Sequence, residues 1–360
     1  MKPENTPAPP SRGRIWFFRM LLLAISAAVG AAILSGAESY CHKKYANLEE
    51  VLAWEGKKGD FFRYDAEVGW LGKPHVAGKH TTGIWISHNE LGWRDTPWDL
   101  SVKKPKVLLL GDSNMWGYGV KDDEYPGAVL NRIAPQIRWF NAGMNGFGTD
   151  QEYLLFKKLK PLVQPDWTVL TFCGNDRDDN ASMRVRGYNK PAFVVENGQL
   201  VLQNVPVTPP EKGENLWSPI PGQIFGKTHS YLLYHITQII EARKSRQKTV
   251  PAKKAKTIGV KSNEDPTHLI VLELYRAADT HLLVACISGD NHLEAFCKEQ
   301  NIPYLDLSKT LARQPGQNAY PTGPPMHGHW TPQGNRIAAE EIYKVVKPYL
   351  DATASRKDAK

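Results

Sequence analysis

Between residues 106 and 350, short apolar runs alternate with longer amphipathic stretches. The runs predict strands at Lys106–Leu110, Ile137–Asn141, Trp167–Phe172, His281–Ile287 and Pro303–Leu307. They are near-continuous rather than alternating, as strands covered on both faces of a parallel sheet read. The stretches between them predict helices near Tyr125–Ala134, Asp150–Lys160, Asn291–Gln300 and Pro332–Leu350. In the last, Ile337, Ala338, Ile342, Val345 and Val346 recur at three- and four-residue spacing, which gives one apolar face. This strand–helix rhythm predicts an α/β fold built on a parallel sheet.

Residues 179–278 interrupt the rhythm. They hold a Pro-rich stretch from Pro206 to Pro221, a helical segment near Tyr231–Arg243 and a basic run from Lys244 to Lys261. They read as an insertion with a flexible basic linker that shapes a substrate cleft. Its Trp217, Tyr231 and Tyr234 suit either stacking on sugar rings or a core. Upstream, Trp85 to Asp95 reads as a strand ending in a turn, most simply a packed edge ribbon.

Ile15 to Leu34 is almost unbroken apolar sequence, interrupted by Arg19. A span of about 20 such residues suffices to cross a bilayer. Lys2, Arg12 and Arg14 precede it and favour a cytoplasmic N-terminus, although Lys43 and Lys44 follow it. The stretch is long for a cleavable leader, so an uncleaved signal anchor is expected. A signal peptide cut near Ser35-Gly36-Ala37 is the alternative. The expected layout is a cytosolic tail (1–14), a transmembrane anchor (15–37), a membrane-proximal segment (38–105), a catalytic domain (106–352, with the insertion) and a short tail (353–360). That domain would be extracytoplasmic, periplasmic in a Gram-negative cell.

Hydrophobic residues make up 41% of the 360 and aromatics 10%, enough for a substantial core. The formal charge of +8 has the sign that a nucleic-acid partner requires. However, much of the excess sits in the N-terminal tail and the run ending at Lys261, with no basic stripe interleaved with aromatics, so no nucleic-acid partner is expected. Cys41, Cys173, Cys286 and Cys297 form no Cys-x-x-Cys pair, and neither a metal nor a cofactor is expected. Cys173 and Cys286 read as core residues, while Cys286 and Cys297 would pair only in an oxidising compartment. Asp176, Asp178 and Asp179 read as a solvated loop or helix start rather than a metal site.

The chemistry is concentrated at strand ends. Strand Lys106–Leu110 stops at Gly111-Asp112-Ser113, which puts a hydroxyl nucleophile where ligands sit in open α/β sheets. A serine hydroxyl needs a base to take its proton. Downstream come Asn141-Ala142-Gly143-Met144-Asn145-Gly146, then Gly174-Asn175-Asp176, then His329-Trp330-Thr331-Pro332-Gln333-Gly334. In this order the four blocks resemble the SGNH (GDSL-type) hydrolase superfamily, over roughly residues 106–178 and 279–350. The segment Asn89-x-x-Gly92-x-Arg94 is similar to one preceding the nucleophile strand in its membrane-tethered members.

The resemblance implies a three-layer α/β/α, flavodoxin-like fold with Ser113 as nucleophile and His329 as base. It implies an oxyanion hole made of the Ser113 amide, the Gly146 amide and the Asn175 side chain. Gly143 is the rival donor and His327 the rival base. Asp112 is expected to stabilise the turn. The implied reaction is hydrolysis of acyl esters, foremost O-acetyl, through an acyl-Ser113 intermediate. The implied substrates are small acyl esters or acetylated envelope or exopolysaccharide glycans. A glycan O-acetyltransferase and a non-catalytic glycan-binding or assembly module are the alternatives.

One departure stands out. The superfamily usually has an Asp three residues before the His, and position 326 is Met. A carboxylate normally orients the imidazole and stabilises its charged form. A Ser–His dyad, a carboxylate from elsewhere such as Asp306, or reduced activity would each accommodate the gap.

Overall fold

A computed structural model describes residues 12–44, 61–80, 83–185, 188–209, 228–248, 265–312 and 328–358. The N-terminal tail, Trp217, most of the basic run 244–261 and the loop holding Met326 and His327 lie outside the described residues.

In chain order the elements begin with α1 (Arg12–Lys44) and two antiparallel ribbons, β1 (Phe62–Asp65) with β2 (Gly69–Gly72) and β3 (Ala77–Lys79) with β4 (Trp85–Ser87). Then come β5 (Lys106–Leu110), α2 (Ser113–Trp116), α3 (Pro126–Ile133), β6 (Arg138–Asn141), α4 (Thr149–Val163), β7 (Trp167–Phe172) and α5 (Asp176–Asn180). Two hairpins follow, β8 (Arg184–Val185) with β9 (Tyr188–Asn189) and β10 (Ala192–Glu196) with β11 (Gln199–Gln203). The chain continues through α6 (Tyr231–Lys248), α7 (Thr267–Ala277), β12 (Leu282–Cys286), α8 (Asn291–Glu299), β13 (Tyr304–Asp306), α9 (Leu307–Ala312) and α10 (Pro332–Asp358).

Five strands form one sheet in the order β13-β12-β7-β5-β6, every neighbouring pair parallel. Numbered along the chain this is the 2-1-3-4-5 arrangement, whose switch point lies between β5 and β7. Side chains alternate between the faces. Leu108, Leu110, Leu170, Phe172 and Val284 pack with Leu155, Phe156 and Leu159 of α4 and Val271 and Leu274 of α7. Val107, Leu109, Val169, Leu283 and Ala285 pack with Val129 and Leu130 of α3 and Ile337, Ala338, Ile342 and Val346 of α10. The result is the expected three layers. Each fully buried aliphatic side chain in β5 contributes about 1.5–3 kcal/mol, so the strand carrying the Gly-Asp-Ser turn is firmly anchored.

Two readings of residues 179–278 change. Helix α7 falls inside that span, yet it is the crossover helix between β7 and β12, its Ile270, Val271 and Leu274 buried. The turn-rich sequence around it obscured a short amphipathic helix. Residues 1–48 and 220–244 form one compact unit, and 49–219 with 245–360 another. In the first unit, Glu38 of α1 accepts from the Ser230 hydroxyl (2.9 Å) and the Tyr231 and Leu232 amides (2.6 and 3.0 Å), satisfying the start of α6. The Tyr231 ring meets His42 edge-on at 4.5 Å, and Tyr231 and Tyr234 are buried. From Trp16 onward α1 is long and apolar enough to cross a membrane, with a mean hydropathy of 2.2. All four cysteines are free thiols, so Cys286 and Cys297 are not joined.

Candidate active site

The turn after β5 crosses Gly111 and enters α2 at once. Asp112 caps that helix, its carboxylate accepting the Asn114 amide at 2.8 Å. The cap is therefore Asp112, and Ser113 is the first helical residue. A Cβ on Gly111 would lie 1.8 Å from Thr171 Oγ1 on β7, so only glycine lets the two strands close here. Thr171 donates to the Leu110 carbonyl at 3.1 Å and locks the strand ends together.

Ser113 Oγ lies 2.8 Å from His329 Nε2. His329 precedes α10, whose start is built by the Thr-Pro-Gln-Gly run: Thr331 Oγ1 accepts the Gly334 amide at 3.1 Å, and Pro332 opens the helix. The main chain next to the histidine is tied to α2, because Asn114 Oδ1 accepts the Trp330 amide at 3.2 Å. The Tyr118 ring stacks on the imidazole with centroids 4.3 Å apart and planes at 30°.

The two candidate glycines have different surroundings. The Gly143 amide donates to Asn141 Oδ1 at 3.2 Å. The Gly146 amide donates to no protein acceptor among the described residues, which suits an oxyanion donor. Asn175 follows β7 across the switch point, half-buried, and its Nδ2 donates to Asp179 Oδ2 at 2.9 Å. One amide proton therefore orients the side chain and the second stays available. Asp306 lies at the end of β13, where its carboxylate accepts the Ser308 hydroxyl (2.5 Å) and amide (3.0 Å) and pairs with Lys309 at 2.9 Å. His327 lies outside the described residues.

The model of the GDSL-like lipase/acylhydrolase family matches residues 109–337. The chain belongs to this family. It is accordingly an ester-bond hydrolase of GDSL type. No curated protein matches its sequence. Solved structures that align with it include a family 3 carbohydrate esterase of Clostridium thermocellum (14% identity, TM-score 0.38, 70% of this chain and 100% of that one). A lipase/acylhydrolase from Enterococcus faecalis aligns at 14% identity and TM-score 0.36, over 68% of this chain and 96% of that one. A psychrotrophic esterase from Pseudoalteromonas sp. aligns at 13% identity and TM-score 0.36, over 69% of this chain and 100% of that one.

Several supports of this GDSL hydrolase's site were not evident in its sequence. The segment at Asn89, Gly92 and Arg94 is more than an edge ribbon. Arg94 is buried; its guanidinium donates to the Trp116 and Gly117 carbonyls at the end of α2 and to the Val120 carbonyl, and pairs with Asp122 at 3.1 Å. A cation there satisfies the last carbonyls of α2. Asp95 is also buried and accepts from Arg138 (3.0 Å), the Trp98 indole (2.8 Å) and the Asn141 amide (3.1 Å). One dipeptide thus braces both the Ser113 turn and the β6 turn. An Arg at the right distance before the Gly-Asp-Ser block was the available signal, but nothing local marks it as buried.

A buried acidic group lies behind Ser113. Asp176 Oδ2 accepts the Cys173 amide (3.0 Å) and the Thr149 hydroxyl (3.2 Å). Glu152 is fully buried, and neither of its carboxyl oxygens has a partner among the described residues. Burial first, and then the neighbouring carboxylates including Asp112, push Glu152 and Asp176 well above the usual carboxylate range. Among the described residues no group of three or more His, Cys, Asp or Glu is arranged to hold a metal ion. The remaining acid, Asp150, is neutralised by the buried Lys190, which also donates to the Asp179, Ser182 and Pro191 carbonyls.

Proposed function

We propose that this hydrolase cleaves acyl esters through an acyl-Ser113 intermediate, with His329 as the general base. The observation that carries the reading is the 2.8 Å separation of Ser113 Oγ and His329 Nε2, two groups 216 residues apart in the chain. His329 Nε2 takes the Oγ proton as the Oγ lone pair attacks the acyl carbon, and the carbonyl pair moves onto oxygen. The Ser113 and Gly146 amides and the second Asn175 amide proton donate to that oxyanion. Collapse expels the alkoxide, which takes the proton from Nε2, and water repeats the cycle to release the acid. Asp306 is engaged by Ser308 and Lys309 at the end of β13.

The substrate belongs to the same proposal: O-acetyl groups on envelope or exopolysaccharide glycans. The apolar stretch of α1 from Trp16 onward, with Lys2, Arg12 and Arg14 before it, supports a membrane anchor with the hydrolase on the far side. The layout proposed for the chain is the one above, with α1 as the anchor and the hydrolase from residue 106 onward.

The test is fluorophosphonate labelling of the full-length protein in detergent, beside Ser113→Ala and His329→Ala. Labelling of the wild type that disappears in Ser113→Ala is expected, together with acetate release from an acetylated glycan. Labelling that survives Ser113→Ala refutes the nucleophile. Acetate released from simple esters but from no glycan refutes the substrate.

A further inference from the structure

Tyr118 follows the Gly117 cap of α2, and its amide donates to the Ser113 carbonyl at 2.9 Å, so its backbone is fixed to the nucleophile itself. Its ring lies on the imidazole of His329 at 4.3 Å and 30°. The nucleophile segment therefore holds the histidine twice, through Asn114 on the Trp330 amide and through Tyr118 on the ring face.

We propose that Tyr118 is a positioning residue for His329: its aromatic face sets the plane of the imidazole and stabilises the imidazolium. The proposal rests on Ser113 and His329 being the reacting pair. The physical basis is the negative electrostatic face of an aromatic ring, which attracts a cation stacked over it. The hydroxyl is not needed for this, so the ring alone matters. Other titratable groups near the pair are Asp112 at the α2 cap and His80, whose ring meets Tyr118 edge-on at 5.6 Å.

The full-length protein in detergent is assayed on p-nitrophenyl acetate as wild type, Tyr118→Phe, Tyr118→Leu and Tyr118→Met, with thermal melts of each. Tyr118→Phe is expected within about twofold of wild type, with the same pH profile, because it keeps the π face. Tyr118→Leu and Tyr118→Met are expected to lose about tenfold in kcat with KM little changed, since the ring face that sets the imidazole plane is gone. In both, the acid limb of kcat/KM, which follows the base in the free enzyme, moves to lower pH by about half a unit. An unshifted limb with wild-type kcat in whichever apolar variant folds overturns the proposal. So does Tyr118→Phe failing as badly as Tyr118→Leu. If the underlying assignment is what fails, labelling survives Ser113→Ala whatever the Tyr118 variants do.

Discussion

Gly143 offers a clean measure of how tightly the proposed nucleophile, Ser113, is held. A Cβ at this position would lie 2.6 Å from the Trp116 amide nitrogen, 2.7 Å from the Met115 carbonyl carbon and 2.9 Å from the Met115 Cβ. Ordinary contact begins at 3.4 Å, so the methyl of Gly143→Ala intrudes by about 0.8 Å into the backbone of α2, which no rotamer change relieves. Its φ is not positive, so the effect is steric rather than conformational. Overpacking of this kind costs about 1–3 kcal/mol of stability. The larger effect is on catalysis, because the atoms displaced belong to the four-residue helix that begins at Ser113. A shift approaching 1 Å in a reacting group lowers rate by about 100-fold. The assay is kcat/KM on p-nitrophenyl acetate beside a thermal melt. The control is Gly198→Ala in the β10–β11 turn, where φ is +75 and nothing lies within 4 Å of the added methyl. That control is expected to lose about 1 kcal/mol of stability and no activity. Gly143→Ala with wild-type kcat/KM would refute the idea that β6 and α2 are in rigid contact.

Further outcomes follow from the supports of the site. Asn114→Ala removes the acceptor of the Trp330 amide and is expected to cost about 1–2 kcal/mol and to lower kcat more than it raises KM, read by melts and steady-state kinetics. Arg94→Met leaves the α2 carbonyls and Asp122 without their cation, and a loss of about 2–4 kcal/mol by urea unfolding is expected; a neutral result would mean those carbonyls find other donors. Glu152→Gln tests the buried acids. Burial and neighbouring carboxylates raise the Glu152 carboxyl above its ordinary 4.5, so the native state keeps a proton that the unfolded chain releases. That contribution is complete below about pH 4.5 and drains away as pH rises through the folded value. Glu152→Gln should therefore melt higher than wild type at pH 8 and equally at pH 4, and a difference independent of pH would contradict it.

The sequence by itself determined the layers of the catalytic unit and the positions of its reactive blocks. The strand runs Lys106–Leu110 and Trp167–Phe172 coincide with β5 and β7, because strands buried on both faces leave an unmistakable apolar signature. Ser113, Asn175 and His329 sit at element edges, where the local chemistry of turns and caps is visible in adjacent residues. Helix α7 escaped because its single apolar face lies among Pro-rich and basic segments. The tertiary structure alone decided which glycine offers a free amide, since that turned on Asn141 bonding Gly143. It alone decided that Arg94 holds the end of α2, that Asp306 serves its own turn, and that Tyr118 lies on His329. The Arg94 and Tyr118 contacts join residues distant in the chain, brought together by the fold rather than by any local periodicity, whereas the Asn141 and Asp306 bonds are local turns whose side-chain choice the sequence does not announce. The surroundings of His329 show the difference most plainly: Met at position 326 was written in the sequence, but the Tyr118 ring against the imidazole became visible only once α2 and the start of α10 were side by side.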